Sequence, residues 1–146
     1  MAISTVGEVG TWTNPVQFGY DSKLNLYFKS MPHSRHMRYL EKDPRISAAI
    51  FKTERFPDRE VLGLQLAGTA QVLTERSDVE EACRHYYGRD PRGIDAGTKV
   101  EEHLRESKWK FVKITPTETW CFDSREFGEE RMQVELASLD IPLDYL

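Results

Sequence analysis

LNLYFKSMPHSRHMRYLEKDPRISAAIF, residues 24–51, contains a strand, a break, a short basic helix and a second strand, and this order decides the fold. Leu24, Leu26 and Phe28 alternate with Asn25, Tyr27 and Lys29, the period-2 pattern of a half-buried strand, and Ser30, Met31 and Pro32 end it. From His33 or Ser34 to Glu41 the apolar residues Met37 and Leu40 share one helical face. Asp43-Pro44 stops that helix, because proline offers no N–H and cannot continue the turn, and Ile46 to Phe51 predicts the next strand.

The helix start is unusually basic. Arg35, His36 and Arg38 crowd its first turns, where the positive end of the helix dipole makes each cation unfavourable by about 0.3–1 kcal/mol. A bound anion would offset them. Free N–H groups at the helix start, the hydroxyls of Ser30 and Ser34 and the Arg35 fork would suit a phosphate. Taken alone, the segment is equally compatible with a solvated basic face on which Ser34 is simply an N-cap.

Working outward, Leu62, Leu64, Leu66, Ala70 and Val72 alternate with Gly63, Gln65, Ala67, Thr69 and Gln71, which predicts a long strand. Ser77 with Glu80, and Thr98 with Glu101, have capping-box spacing, so helices are expected to start after each and run towards Tyr87 and Ser107. Trp109 to Thr115 predicts a strand ended by Pro116, and Thr117 to Asp123 a closing strand after a tight reversal. The polar run Lys52–Glu60 reads as a loop.

The 146 residues fit one domain spanning 1–146. With 20 Lys and Arg against 24 Asp and Glu, the net charge of −4 argues against general nucleic-acid binding. No apolar run approaches the ~20 residues of a spanning helix, and Met1–Thr5 lacks the basic and apolar parts of a signal peptide, so a cytoplasmic protein without membrane attachment is expected. Cys83 and Cys121 read as reduced structural thiols. His33 and His36 are three apart but lack a third ligand at recognisable spacing, so no metal site is expected. No P-loop, GxGxxG or nucleophile elbow is present.

Leu26-Tyr27-Phe28-Lys29-Ser30, Ser34-Arg35-His36-Met37-Arg38-Tyr39-Leu40 and Asp43-Pro44-Arg45-Ile46-Ser47, followed by Gly63–Ala70, resemble the pyridoxamine 5'-phosphate oxidase-like superfamily of FMN-binding split barrels. The resemblance covers most of the chain. It implies a mainly β (α+β) fold, a six-stranded antiparallel split β-barrel with short helices, and FMN as cofactor. It implies that Lys29, Ser30, Ser34, Arg35 and His36 hold the FMN phosphate and ribityl chain, with His36 standing where many relatives have Lys. It implies that Asn14, Pro15 and Val16 run along the isoalloxazine ring. Gly63 takes the place of a flavin-contacting Gln, and Gln65 is a neighbouring substitute.

The resemblance further implies a homodimer with flavin sites at the interface, completed in trans by Trp120 and by Arg125 or Arg131. Core or interface packing is the alternative reading of Trp120. The expected activity is that of a flavin-dependent oxidoreductase on an unknown small molecule, since the substrate-binding C-terminal extension of the vitamin B6 oxidases is missing. Tyr86–Pro91 matches their phosphate-binding segment poorly. A haem-binding or haem-degrading barrel using His33, His36 or His85, a non-catalytic flavin sensor and a deazaflavin cofactor remain alternatives.

Overall fold

Along the strand Leu26–Ser30 (β4), Leu26, Phe28 and Ser30 turn to one side of a sheet and Tyr27 and Lys29 to the other, and each side carries its own hydrophobic core. The computed structural model describes residues 1–51, 61–88, 92, 94–105 and 108–138. The other strands are β1 (Ala2–Gly7), β2 (Gly10–Pro15), β3 (Gly19–Tyr20), β5 (Arg45–Phe51), β6 (Leu62–Val72), β7 (Lys110–Asp123) and β8 (Met132–Gln133). They form one antiparallel sheet in the order β2-β1-β5-β6-β7-β4-β3, with β8 on β7. Among the described residues the sheet does not close. The six expected strands are present at five residues or more, and β3 and β8 add two residues each.

The inner face holds Ile3, Leu26, Phe28, Ile46, Ala48, Leu66, Val112 and Ile114, closed by Met37 and Leu40 of helix α1 (Arg35–Leu40). The second core lies on the opposite face of β4 and the start of β7. There Tyr27 and Phe111 meet Val79, Ala82, Cys83 and Tyr87 of α2 (Arg76–Tyr87) and Val100 of α3 (Ala96–Leu104). Cys83 is buried and free, its thiol pushed up to about 11 by burial, and Cys121 is also free, as a structural role requires.

Three sequence expectations are corrected. Helix α2 starts at Arg76, before Ser77, because the turn preceding buried Val79 is already helical; Asp78 then lies in the first turn, where a negative charge suits the dipole. Helix α3 is capped by Asp95, whose carboxylate accepts from the Gly97 N–H at 2.9 Å, while the Thr98 hydroxyl donates back to the Asp95 carbonyl. No reversal follows Pro116. Residues 110–123 form one strand, because the pairing register slips between Ala67 and Gly68 and Pro116 sits at that bulge, where the ladder is already interrupted. The predicted loop 52–60 lies outside the described residues. Among the described residues no helix is long and apolar enough to cross a membrane.

Candidate functional site

Where β4 ends, the chain turns through Met31–Ser34 into α1, and the Ser34 N–H closes the turn on the Met31 carbonyl at 2.9 Å. This folding brings three of the predicted residues together. Ser30 Oγ lies 2.6 Å from His36 Nε2, Ser34 Oγ lies 3.2 Å from the same nitrogen, and the two hydroxyls are 3.2 Å apart. Ser34 occupies the N-cap position, yet its side chain caps nothing and turns to His36 instead, so the plain N-cap reading does not hold. Burial pushes the His36 imidazole below its ordinary value and keeps it neutral near pH 7. Among the described residues, the three side chains bond only to one another. The Ser30–His36 contact has the reach of a nucleophile–base pair, but no described carboxylate orients the imidazole as such chemistry requires.

Lys29 does not join this cluster. As the neighbour of Ser30 on a strand it faces the opposite way, where its ammonium donates to Tyr87 Oη at 3.0 Å and sits 5.2, 5.0 and 6.0 Å from the ring centres of Tyr86, Tyr87 and Trp109. Tyr87 Oη is also 2.8 Å from His103 Nε2. His103 further bonds the Trp109 backbone carbonyl, which needs an N–H donor, so in the neutral ring Nε2 is the acceptor and Tyr87 donates to it. The Lys29–Tyr87–His103 chain is thus directional and complete.

Arg35 is held elsewhere. Its Nε donates to Tyr39 Oη at 2.9 Å, and its guanidinium lies 4.4 Å from the Trp12 ring centre, which ties α1 to the β1–β2 hairpin. Arg38 and His33 are exposed. Asn14 and Pro15 end β2, which among the described residues pairs only with β1, and the Val16 N–H bonds the Met1 carbonyl at 2.9 Å while Val16 packs on the inner core. Among the described residues no strand pairs with the other edge of β2, where Pro15 brings a carbonyl but no N–H.

Trp120 and Arg131 lie at the other end of the sheet. Trp120 pairs with Gln65 of β6 and Gln133 of β8, its Nε1 donating to Glu118, and Arg131 is exposed just before β8. Ten positions of β7 separate Trp120 from Lys110, the cross-strand partner of Ser30, or about 30 Å of strand. Gly63 has a packing reason: a Cβ there would lie 2.3 Å from the Ile50 carbonyl oxygen and 2.6 Å from the Phe122 ring. Arg125 grips Asp123 through Nε and Nη2.

Sequence reasoning missed Lys110. It pairs directly with Ser30, so both side chains leave the same face of the sheet. Only the strand register reveals this neighbour, 80 residues away in the chain. A second polar group joins Asp21, Glu81 and His85, whose ligating atoms lie within 4.8 Å of one another. It is already satisfied. Asp21 Oδ1 accepts from the N–H groups of Lys23 and Asn25, Oδ2 accepts from Asn25 Nδ2 and Tyr27 Oη, and Lys113 Nζ lies 3.8 Å from Glu81. These contacts occupy the Asp21 lone pairs and supply a cation, so the group stabilises the β3–β4 turn.

A sequence model of the family described as "Pyridoxamine 5'-phosphate oxidase" matches residues 1–121. No curated protein matches the chain. Among solved structures, a conserved hypothetical protein from Mycobacterium tuberculosis superposes with a TM-score of 0.71 at 18% identity, over 91% of this chain and 82% of its own. A haem-binding protein from Mycobacterium smegmatis gives 0.69 at 16% identity, over 93% of this chain and 52% of that one. A protein from Clostridium acetobutylicum described as related to general stress protein 26 of the pyridoxinephosphate oxidase family gives 0.62 at 14%, over 91% and 82%.

Proposed function

We propose that this chain, which belongs to the pyridoxamine 5'-phosphate oxidase family, binds FMN with its phosphate at the Ser30–Ser34–His36 cluster and acts as a flavin-dependent oxidoreductase on a small molecule. The observation that carries the reading is the Ser34 hydroxyl, which leaves its capping position to join a second hydroxyl and a neutral imidazole. Two hydroxyls and an imidazole at a strand-to-helix turn suit the oxygens of a phosphate monoester. When bound, the flavin supplies the electron-transfer chemistry, and the protein supplies position, polarity and access.

Around that anchor, Asn14–Val16 at the end of β2 would lie along a flat heteroaromatic ring; on the side away from β1 this stretch offers the Pro15 carbonyl, which accepts from Asn14 Nδ2, while the Val16 N–H and C=O are both bonded to Met1. Trp120 and Arg131 belong to a site of the same kind only in trans. About 30 Å of strand separates them from the cluster within one protomer, and a two-fold partner brings its own copies alongside. Phe51, 53% exposed, shares an outer sheet row with Gly63 and Phe122 next to Trp120, and this apolar row suits burial in a homodimer. Haem is the second reading, supported by the M. smegmatis neighbour; against it, His36 is buried among serines and His85 stacks on Tyr27 at 5.4 Å.

An absorbance spectrum of the purified protein, with release of any chromophore, tests the cofactor. Oxidised-flavin bands, with FMN affinity about tenfold weaker in Ser34→Ala, are expected. A Soret band, or a colourless protein that ignores added FMN, overturns the reading. Turnover with a nicotinamide donor separates an enzyme from a passive binder.

A further inference from the structure

We infer that Lys110, at the first position of β7, is the cation that binds the phosphate group at the Ser30–Ser34–His36 cluster, an inference that rests on the flavin reading above. The cluster supplies hydroxyls and a neutral ring but no charge. A phosphate monoester removed from water needs a charged partner. The basic neighbours in the sequence do not supply it: Lys29 points to the opposite face and is bonded to Tyr87, Arg35 is drawn over Trp12 and Tyr39, and Arg38 is exposed, two residues past His36 and so off its helix face.

The ladder supplies it instead. Ser30 and Lys110 are direct antiparallel partners, which sets their Cβ atoms about 4.5–5.5 Å apart on one face. The same ladder shows the rule at work three rungs away. Tyr27 and Lys113 are partners, and Lys113 Nζ lies 5.5 Å from the Tyr27 ring centre. Lys29, Lys42, Lys99 and Lys113 each have a hydrogen-bonding, ionic or aromatic partner. Lys110 is half-buried, and no hydrogen bond, ion pair or ring contact joins it to any described residue. Its four-carbon stem gives the ammonium the reach to meet an anion seated on the hydroxyls.

The test compares FMN with riboflavin, which shares the ring and ribityl chain and lacks the phosphate. Both are titrated by flavin fluorescence into wild type, Lys110→Met and Lys110→Arg. Lys110→Met keeps the stem, so its melting temperature should stay near that of wild type. The expected result is FMN affinity weaker by about 10- to 100-fold in Lys110→Met, unchanged riboflavin affinity, and substantial recovery in Lys110→Arg. Equal FMN affinity in Lys110→Met and wild type, or equal losses for both flavins, overturns the role of Lys110 and leaves the cofactor reading standing. Wild type that binds neither flavin overturns both.

Discussion

The two faces of β4 carry similar side chains to different ends. Towards α2 and α3, Lys29, Tyr87 and His103 form a closed donor–acceptor chain, and Tyr27 donates to an Asp21 carboxylate that is fully occupied. Towards α1, Ser30, Ser34 and His36 bond only among themselves, beside a lysine with no described partner. Both sets are half or more buried and both pair hydroxyls with an imidazole. The first meets the Lys29 ammonium with a phenol oxygen and ring faces and the Asp21 carboxylate with N–H and O–H donors, and thereby builds structure; the second has donors and acceptors but no charge of its own, which is why the proposed anion is placed there. Residue type does not separate a strut from a site; the state of its hydrogen-bond and charge accounts does.

Both faces should prove equally integral to the folded protein. Phe28→Ala on the inner face and Phe111→Ala on the outer, both essentially unexposed, should each cost about 3–5 kcal/mol in denaturant unfolding. A cost under 1 kcal/mol for Phe111→Ala would mean that the α2–α3 layer is not part of the cooperative core. Next, Lys29→Met should cost about 1 kcal/mol, since Tyr87 keeps its bond to His103, and should leave FMN affinity within about twofold of wild type. A large loss of FMN would move Lys29 from strut to site.

The smallest effect is shared by both faces. Burial holds His36, His85 and His103 below their ordinary values in the folded protein, so the unfolded chain binds protons first as acid is added. Stability is full above the unfolded value of about 6.5 and falls as pH drops from there through the folded values. Melting temperatures from pH 8 to pH 5 should follow that direction, and His103→Gln should flatten the slope. A melting temperature that rises on acidification would show that these rings are not held neutral.

Local pattern revealed the strand–turn–helix–strand core, because Leu26, Phe28, Met37 and Leu40 obey the periods of their elements. It also brought Ser30, Ser34 and His36 together, since all three lie within seven residues. It did not separate Lys29 from Ser30 by function, although alternation along a strand already places them on opposite faces. The basic start of α1 does not by itself mark an anion site, because the helix is only six residues long and Arg35 lies against aromatic partners. Lys110 was invisible because strand register is a long-range property fixed by the whole sheet. The caps of α2 and α3 were misplaced for a local reason: Asp95 competes with Thr98, and burial of Val79 extends α2 back past Ser77.

The bulge in β7 has a further consequence. Thr117 is skipped by the ladder, so the inward positions change from Val112 and Ile114 to Thr119 and Asp123. It acts as a dislocation in an otherwise regular lattice, advancing the strand by half a repeat. At that line Gly68 lets the backbones close up, since a Cβ there would lie 2.3 Å from the Thr115 carbonyl oxygen. Loss of Thr117 alone would exchange Trp120 and Phe122 with Thr119 and Cys121 across the sheet. A single-residue insertion or deletion along this stretch should therefore cost more than a substitution at one of its exposed positions, so the strand's length is held more tightly than its surface composition.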